Sequence, residues 1–155
     1  TDTTVEVKIL GENHDSKLNF TLAALAHDCM EAIGAPRFTE EEKAYARQVA
    51  QAVGLPGVEG ELDESILPVD GTIKKDNGSS DVADVSQIVP VVNINTACYG
   101  RKTPNHCWAV TVQADKPAAH RGMLFAAKTL ALMGTRLATE PALLAAVRAE
   151  FEQAE

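Results

Sequence analysis

The feature that most constrains the fold is a set of helix start and stop signals in the first third of the chain. Asn19 is a good N-cap residue, and apolar residues follow it at helical spacing until Gly34, a residue favoured just past a helix end. Thr39 and Glu42 have the spacing of a capping box, and Gly54 can close the segment that they open. These signals predict two helices joined by a short turn.

The rest of the chain mixes strand-like and helix-like patterns. Apolar and polar residues alternate in VEVKIL, VVNINTAC and CWAVTVQA, as they do in half-buried strands. Two prolines favour helix starts, the first of a long helix to about Met133. In chain order, the further predicted elements are a strand over 3–10, a short helix capped by Ser80 and ended by Pro90, two strands, and helices opened near Pro117 and Pro141. This order predicts an α/β fold with few strands and flanking helices.

Composition excludes several classes of partner. A net charge of −8 over 155 residues argues against nucleic acid and against anionic membranes, which both need basic patches. No run of eighteen apolar residues occurs, and the N-terminus lacks the pattern of a signal peptide. Three cysteines without a tight pairing pattern fit a reduced, cytoplasmic setting. The chain enters a strand pattern directly after Thr1, so we expect it to be cut from a longer one. An unpaired strand there would favour a homo-oligomer.

Two histidines and two cysteines near residues 98–120 raise the question of a metal site. Cys98, His106, Cys107 and His120 are residue types that zinc accepts, but no C-x-x-C clamp is present, so a closed structural site is not favoured. His106 lies in the turn-rich stretch RKTPNHC between two predicted strands, where an imidazole can reach into a cleft. The alternative is a plain surface histidine. His120 is interpreted as a partly buried residue in the first turn of a helix.

A second candidate site is the stretch KKDNGSSDVAD. Backbone N–H groups at the start of its predicted helix could hold a carboxylate or phosphate, with hydroxyl donors from Ser79 and Ser80. The alternative is an ordinary helix start with Asp81 in the first turn. The Walker pattern and the G-x-S-x-G elbow are both missing from the chain, so no catalytic residue is assigned.

Three stretches together resemble a known family. NHDSKLNFTLAALAHDCMEAIGAPRFTEEEKAYA is similar to the segment by which dizinc aminoacylase/carboxypeptidase-type amidohydrolases re-enter their catalytic domain after an inserted lid domain. NGSSDVADVSQIVP resembles their glycine-rich turn and short helix. TPNHCW followed by HRGMLFAAKTLALMG resembles the region of their last metal-binding histidine and the helix behind it. The branch that the chain most resembles is the B-subunit type of aminobenzoyl-glutamate hydrolase, over roughly residues 5 to 152.

The resemblance implies a fold, an activity and site residues. It implies a partial three-layer α/β/α catalytic domain over 13–155, preceded over 1–12 by the last strand and linker of the lid. The activity would be metal-dependent hydrolysis of N-acyl amino acids, with zinc or manganese in the complete enzyme. His106 would be a metal ligand. The substrate-binding residues would be Gly78, Ser79, Ser80 and Asp81.

The resemblance also implies an incomplete site. The family's other metal ligands and its general-base glutamate have no counterpart in this sequence. We therefore expect a C-terminal fragment that binds metal weakly and is inactive without the N-terminal part of its parent chain. The rival interpretation is a non-catalytic α/β binding or interaction module.

Overall fold

The computed structural model describes residues 2–73, 78 and 80–154 of the chain. Helices make up 51% of the structure, and the described residues form no β-strand. The helices are α1 (Phe20–Ile33), α2 (Glu40–Val53), α3 (Val82–Val85), α4 (Trp108–Ala114), α5 (Pro117–Thr139) and α6 (Pro141–Gln153).

The first two helices begin and end where their capping signals predicted. The Asn19 side chain accepts a hydrogen bond from the Leu22 N–H. Thr39 and Glu42 form a complete capping box at the start of α2, since each side chain accepts from the backbone of the other. Glycines in the positive-φ region follow both helices, where a residue without Cβ adopts that conformation at little cost. Local sequence therefore sets where both helices begin and end.

The main core lies between α1, α5 and α6. Leu22, Leu25 and Cys29 form the buried stripe of α1, and they meet Met133 of α5 and Val147 of α6. The spacing of the α1 residues, three and then four positions apart, is that of one helix face. Each large apolar side chain buried in this way contributes roughly 1.5–3 kcal/mol relative to its exposed state. The three helices therefore form the most cohesive part of the chain.

Polar groups fix how α6 crosses the start of α1. The buried Asn19 side chain, besides capping α1, donates from Nδ2 to the Val147 carbonyl over 2.9 Å. The Glu150 carboxylate accepts from the N–H groups of Phe20 at 2.7 Å and Thr21 at 2.8 Å. Burial raises the pKa of Glu150, but these hydrogen bonds outweigh it and hold the pKa below its ordinary value. A side chain of α6 thus satisfies two of the free N–H groups that every helix start leaves open.

The predicted α/β fold, as a partial three-layer arrangement with a leftover strand, is wrong. Residues 3–10 have no secondary structure, and Val5 is 88% exposed. Residues 91–98 are also irregular. A strand requires a neighbour for its N–H and C=O groups. Within the described residues, no backbone hydrogen bond joins either stretch to another segment. The two stretches therefore alternate as strands do, but they do not form a sheet with any described segment.

The third predicted strand, CWAVTVQA, is the helix α4. Ala109 and Gln113, four residues apart, are buried on one helix face, and the Gln113 amide donates to the Ala109 carbonyl over 2.8 Å. The apolar residues that suggested a strand lie toward the surface, as Trp108, which is 52% exposed, shows. The segment thus buries a small residue and an amide at helical spacing, and its alternating larger apolar residues do not make it a strand.

The last two helices start near the prolines that predicted them. α5 continues past the predicted end at Met133 to Thr139, where hydroxyls of Thr135 and Thr139 each donate to the carbonyl four residues earlier. α6 begins at Pro141. Among the described residues, no single helix combines the length and hydropathy needed to cross a bilayer. Only α5 and α6 taken together have that length and hydropathy, and a bend of 99° separates them.

Candidate functional site

The His106 loop, residues 99–107, is anchored at its base by a close approach of two backbones. A Cβ on Gly100 would lie 2.8 Å from the Gly60 Cα, so residue 100 needs glycine. Gly60 needs to be glycine for another reason: it has φ +70, and a Cβ there would lie 2.8 Å or less from atoms of α2. The Arg101 N–H donates to the Glu61 carbonyl over 2.7 Å. The Gly100 N–H donates to the buried Gln113 amide of α4 over 3.1 Å. Two separate segments, residues 60–61 and α4, therefore fix the start of the loop.

The residues that lead into the loop pack directly against α5 at a glycine. Gly122 lies on the buried face of α5, and a Cβ there would come within 2.7 Å of the Cys98 Sγ and closer still to the Ala97 carbonyl oxygen. The contact with backbone cannot be relieved by rotating a side chain. Segment 97–98 can therefore lie directly on α5 because residue 122 has no side chain.

Within the loop, hydrogen bonds surround a strained histidine. Tyr99 donates to the Asn105 side chain at 3.0 Å, and the Cys107 thiol donates to the Pro104 carbonyl at 2.9 Å. His106 has φ 57, in the left-handed region that costs an ordinary residue about 1 kcal/mol or more. Its side chain is exposed and makes no hydrogen bond with any described residue. The loop therefore holds an imidazole in solvent at a backbone position that needs support from its neighbours.

One charged side chain of the loop, that of Lys102, is paired. Lys102, which also has a positive φ, forms an ion pair with Glu59. The hydrogen bond and the charge of Lys102 lower the pKa of Glu59, with a smaller contribution from Arg101. This pair connects the loop to the segment that also carries Gly60. The pair is exposed to solvent, so it contributes little to the free energy of unfolding, and its main effect is to position the two segments relative to each other.

The described residues do not fit a metal centre. No group of three histidine, cysteine, aspartate or glutamate side chains converges within them. Cys107 is bonded to a carbonyl, Cys98 lies beside Thr96 at 3.7 Å, and His120 is on the surface of α5. The expectation that His120 is partly buried is therefore wrong. His106 can offer one imidazole, whereas a bound zinc ion needs three or four protein ligands.

The predicted substrate-binding turn lies on a different segment. Gly78, Ser80 and Asp81 are exposed, and Ser79 lies outside the described residues. The Ser80 hydroxyl accepts from the Val82 N–H at 3.2 Å, and the Ser80 carbonyl accepts from the Ala83 N–H at 3.1 Å. These bonds occupy the first N–H groups of α3. No hydrogen bond or ion pair in the described part of the chain joins Ser80 or Asp81 to the His106 loop. The role of this turn stays a prediction.

Contacts that the sequence did not indicate hold α3 in place. His14 donates from its backbone N–H to Asp84 Oδ1 over 3.0 Å, and its ring Nδ1 lies 2.8 Å from the same oxygen. The hydrogen bond from the His14 N–H and that of its ring lower the pKa of Asp84. The Lys17 N–H donates to the Ser86 hydroxyl at 2.8 Å. These partners lie about seventy residues apart, so no local pattern could have paired them.

Sequence reasoning also missed a cavity of about 460 Å³ beside α1. Its walls are segment 63–69 and segment 92–101, and its polar lining includes Asp63, Asn93 and Arg101. The stretch VVNIN lines it with both its apolar and its polar residues, so the alternation in this stretch gave no signal for the cavity.

Comparisons with known proteins identify a relative along almost the whole chain. The chain is 28% identical to the B subunit of p-aminobenzoyl-glutamate hydrolase from Escherichia coli (strain K12), and the alignment covers 99% of this chain and 37% of the relative. No family model matches the chain, and no solved structure matches it. The chain thus spans little more than a third of the relative's length. The resemblance indicated by its motifs is confirmed: over nearly all its residues, the chain is similar in sequence to the p-aminobenzoyl-glutamate hydrolase B subunit.

Proposed function

We propose that this chain supplies part of the catalytic unit of an amide hydrolase of the p-aminobenzoyl-glutamate hydrolase type. The observation that carries the proposal is the alignment with the B subunit of that hydrolase over 99% of the chain. The proposed substrates are N-acyl amino acids, in which water cleaves the amide between the acyl group and the amino acid. Residues 13–155 belong to the catalytic part, and the activity needs residues beyond those of this chain.

The His106 loop is the part of the chain that best suits such a role. An exposed imidazole is free to bind a substrate or a metal ion, or to transfer a proton. Backbone strain concentrates at functional sites because surrounding structure must hold it in place. Here the support comes from the bonds of Tyr99 and Cys107 on either side of His106. These features favour a functional loop over a plain surface turn.

A divalent metal, zinc or manganese, is the proposed cofactor of the complete enzyme. His106 is the ligand that we assign to this chain. The remaining ligands and the general base must come from outside the described residues, which bring no three suitable side chains together. The chain by itself should therefore bind such an ion weakly.

The start of α3 is the proposed substrate-binding element. Gly78, Ser80 and Asp81 are exposed, so a substrate can approach them. The relative is named as one subunit of its enzyme, which supports a hydrolase assembled from more than one chain. In that assembly, the turn and the His106 loop would face a common substrate through residues that other segments contribute.

Hydrolysis of p-aminobenzoyl-glutamate tests this function. The release of p-aminobenzoate should be measured for this chain alone and for the complete product of its gene, each with zinc and with manganese. We expect release from the complete product and none from this chain alone. Full activity of this chain alone would contradict its incompleteness. Inactivity of the complete product toward a panel of N-acyl amino acids would contradict the function and favour a non-catalytic binding module.

A further inference from the structure

The cavity beside α1 has the size and composition of a small-molecule site. Its volume of about 460 Å³ lies within the range of roughly 300–1,000 Å³ that is usual for ligand pockets. Its floor is apolar, with Ala26 and Met30 from α1, Ile94, and Phe125 from α5. Three of these floor side chains belong to α1 and α5, whose positions the core fixes. The cavity therefore offers a preformed surface for an apolar or aromatic group.

The rim carries two permanent charges of opposite sign. Of the described residues that line the cavity, Asp63 and Arg101 are the ones charged at all moderate pH values. Hydrogen bonds from the Ser65 hydroxyl and N–H, and more weakly the charge of Arg101, lower the pKa of Asp63. The carboxylate of Asp63 is therefore ionised at neutral pH, and Arg101 lies near it.

Both charges keep free hydrogen-bonding capacity. The two hydrogen bonds from Ser65 reach the same atom, Asp63 Oδ1, and leave Oδ2 without a partner among the described residues. The Arg101 backbone is fixed by its bond to Glu61, but its guanidinium donates no hydrogen bond within the described part of the chain. The nearby carboxylate of Glu59 is neutralised by Lys102. The rim thus presents one acceptor, Asp63 Oδ2, and one donor group, the Arg101 guanidinium, that are available to a ligand.

We propose that this cavity binds a free α-amino acid with an apolar or aromatic side chain. Arg101 pairs with the α-carboxylate, since a guanidinium matches a carboxylate with two parallel hydrogen bonds. Asp63 accepts from the α-ammonium group. The side chain of the ligand lies on the floor formed by Ala26, Met30 and Phe125. Amide groups of Asn93 and Asn95, which make no hydrogen bond with described residues, line the same opening and can bind the remaining carboxylate lone pairs.

Calorimetric titration with three probes tests this assignment independently of any hydrolysis. L-phenylalanine has both charged groups, phenylethylamine lacks the carboxylate, and 3-phenylpropanoate lacks the ammonium group. Because a hydrogen bond to a charged group contributes about tenfold or more in affinity, phenylalanine should bind at least about tenfold tighter than either probe. Absence of phenylalanine binding, or equal affinity for all three probes, would overturn the proposal.

Two variants assign the charges. Arg101→Gln should weaken phenylalanine about tenfold or more while leaving phenylethylamine unchanged. Asp63→Asn should weaken phenylalanine similarly and leave 3-phenylpropanoate unchanged. Arg148→Gln, an exposed arginine of α6 far from the cavity lining, is the matched control and should change nothing. A variant that only disturbed the fold would weaken every probe alike, and that result would contradict the assigned contacts.

Discussion

The helical bundle of α1, α5 and α6 and the irregular segments around the His106 loop satisfy their polar groups in different ways. In the bundle, backbone bonds are local, and the helix ends are closed by side chains such as Asn19 and Glu150. In the irregular segments, single bonds join distant residues, as Arg101 does with Glu61. We therefore expect the bundle to keep its form if one such bond is lost, and the loop to change its form.

This difference predicts that stability and the proposed function lie in different regions of the chain. Core side chains and caps of the bundle contribute most of the cohesion, whereas the exposed imidazole of His106 contributes none of it. A loop held on a stable scaffold can vary in sequence and carry a site. We therefore expect substitutions in the bundle to lower the free energy of unfolding and substitutions in the loop to alter activity.

The largest effect is expected where the two regions touch. Gly122→Val should lower the free energy of unfolding by roughly 3 kcal/mol, because its side chain would meet the backbone of Ala97 and the Cys98 Sγ. Urea denaturation followed by circular dichroism measures this loss. The His106 loop should loosen at the same time, since segment 97–98 leads into it.

Gly134 provides the matched control on the same helix. A Cβ at this position meets no atom within 4 Å. Gly134→Ala should therefore stabilise the protein by about 0.5–1 kcal/mol, because alanine loses less conformational freedom in a helix than glycine. If both glycine substitutions destabilised the chain equally, the close approach at Gly122 would not be the cause.

A smaller loss is expected at the crossing of α6 over α1. Asn19→Ala removes both the cap on the Leu22 N–H and the bond to the Val147 carbonyl. The expected cost is about 2 kcal/mol, from the lost cap and the lost buried hydrogen bond between the two helices. Asn13→Ala, at an exposed position of the N-terminal segment, should leave the melting temperature unchanged. A cost near zero for Asn19→Ala would show that the crossing rests on apolar packing alone.

The smallest effect in the bundle is expected at Glu150, and it depends on pH. The pKa of Glu150 is lowered in the folded chain, so its ionised form favours folding. This contribution is present above the unfolded pKa, near 4.5, and is lost as the pH falls through the folded value. Glu150→Gln should cost about 1 kcal/mol at pH 7 and little at pH 3.

Glu152→Gln is the control for this pH dependence. Glu152 is exposed on the same helix and forms no ion pair with a described residue. Its substitution should leave the curve of stability against pH unchanged between pH 3 and 7. An equal change of slope for both glutamine variants would mean that the general charge of α6, and not the bonds to Phe20 and Thr21, sets the effect.

The sequence predicted the helices whose ends carry local chemistry. Asn19 and the pair Thr39 and Glu42 located α1 and α2 because capping joins residues only three positions apart. Pro117 and Pro141 located the starts of α5 and α6 for the same reason. The helix α5 continues beyond its predicted end near Met133 to Thr139, and hydroxyls of its last turns donate back to helix carbonyls.

The predicted strands were wrong because an alternating segment forms a strand only when another strand pairs with it. Residues 3–10 and 91–98 alternate, but no described segment pairs with them. The stretch CWAVTVQA is helical, and its buried Gln113 amide accepts a hydrogen bond from Gly100. No local pattern reveals such a bond. The position of His106 in a loop was predicted, whereas the strain at its backbone and the charges of the cavity depend on tertiary contacts.

His106 tests most directly whether the loop carries function and the bundle carries stability. His106→Asn removes the imidazole but tolerates the positive φ, and His120→Asn alters an exposed histidine of α5 in the same way. Both variants should be compared in the complete gene product by melting temperature, bound metal and hydrolysis of p-aminobenzoyl-glutamate. We predict that His106→Asn loses metal and activity by orders of magnitude at an unchanged melting temperature, while His120→Asn keeps all three. Full metal content and activity in His106→Asn would contradict the account.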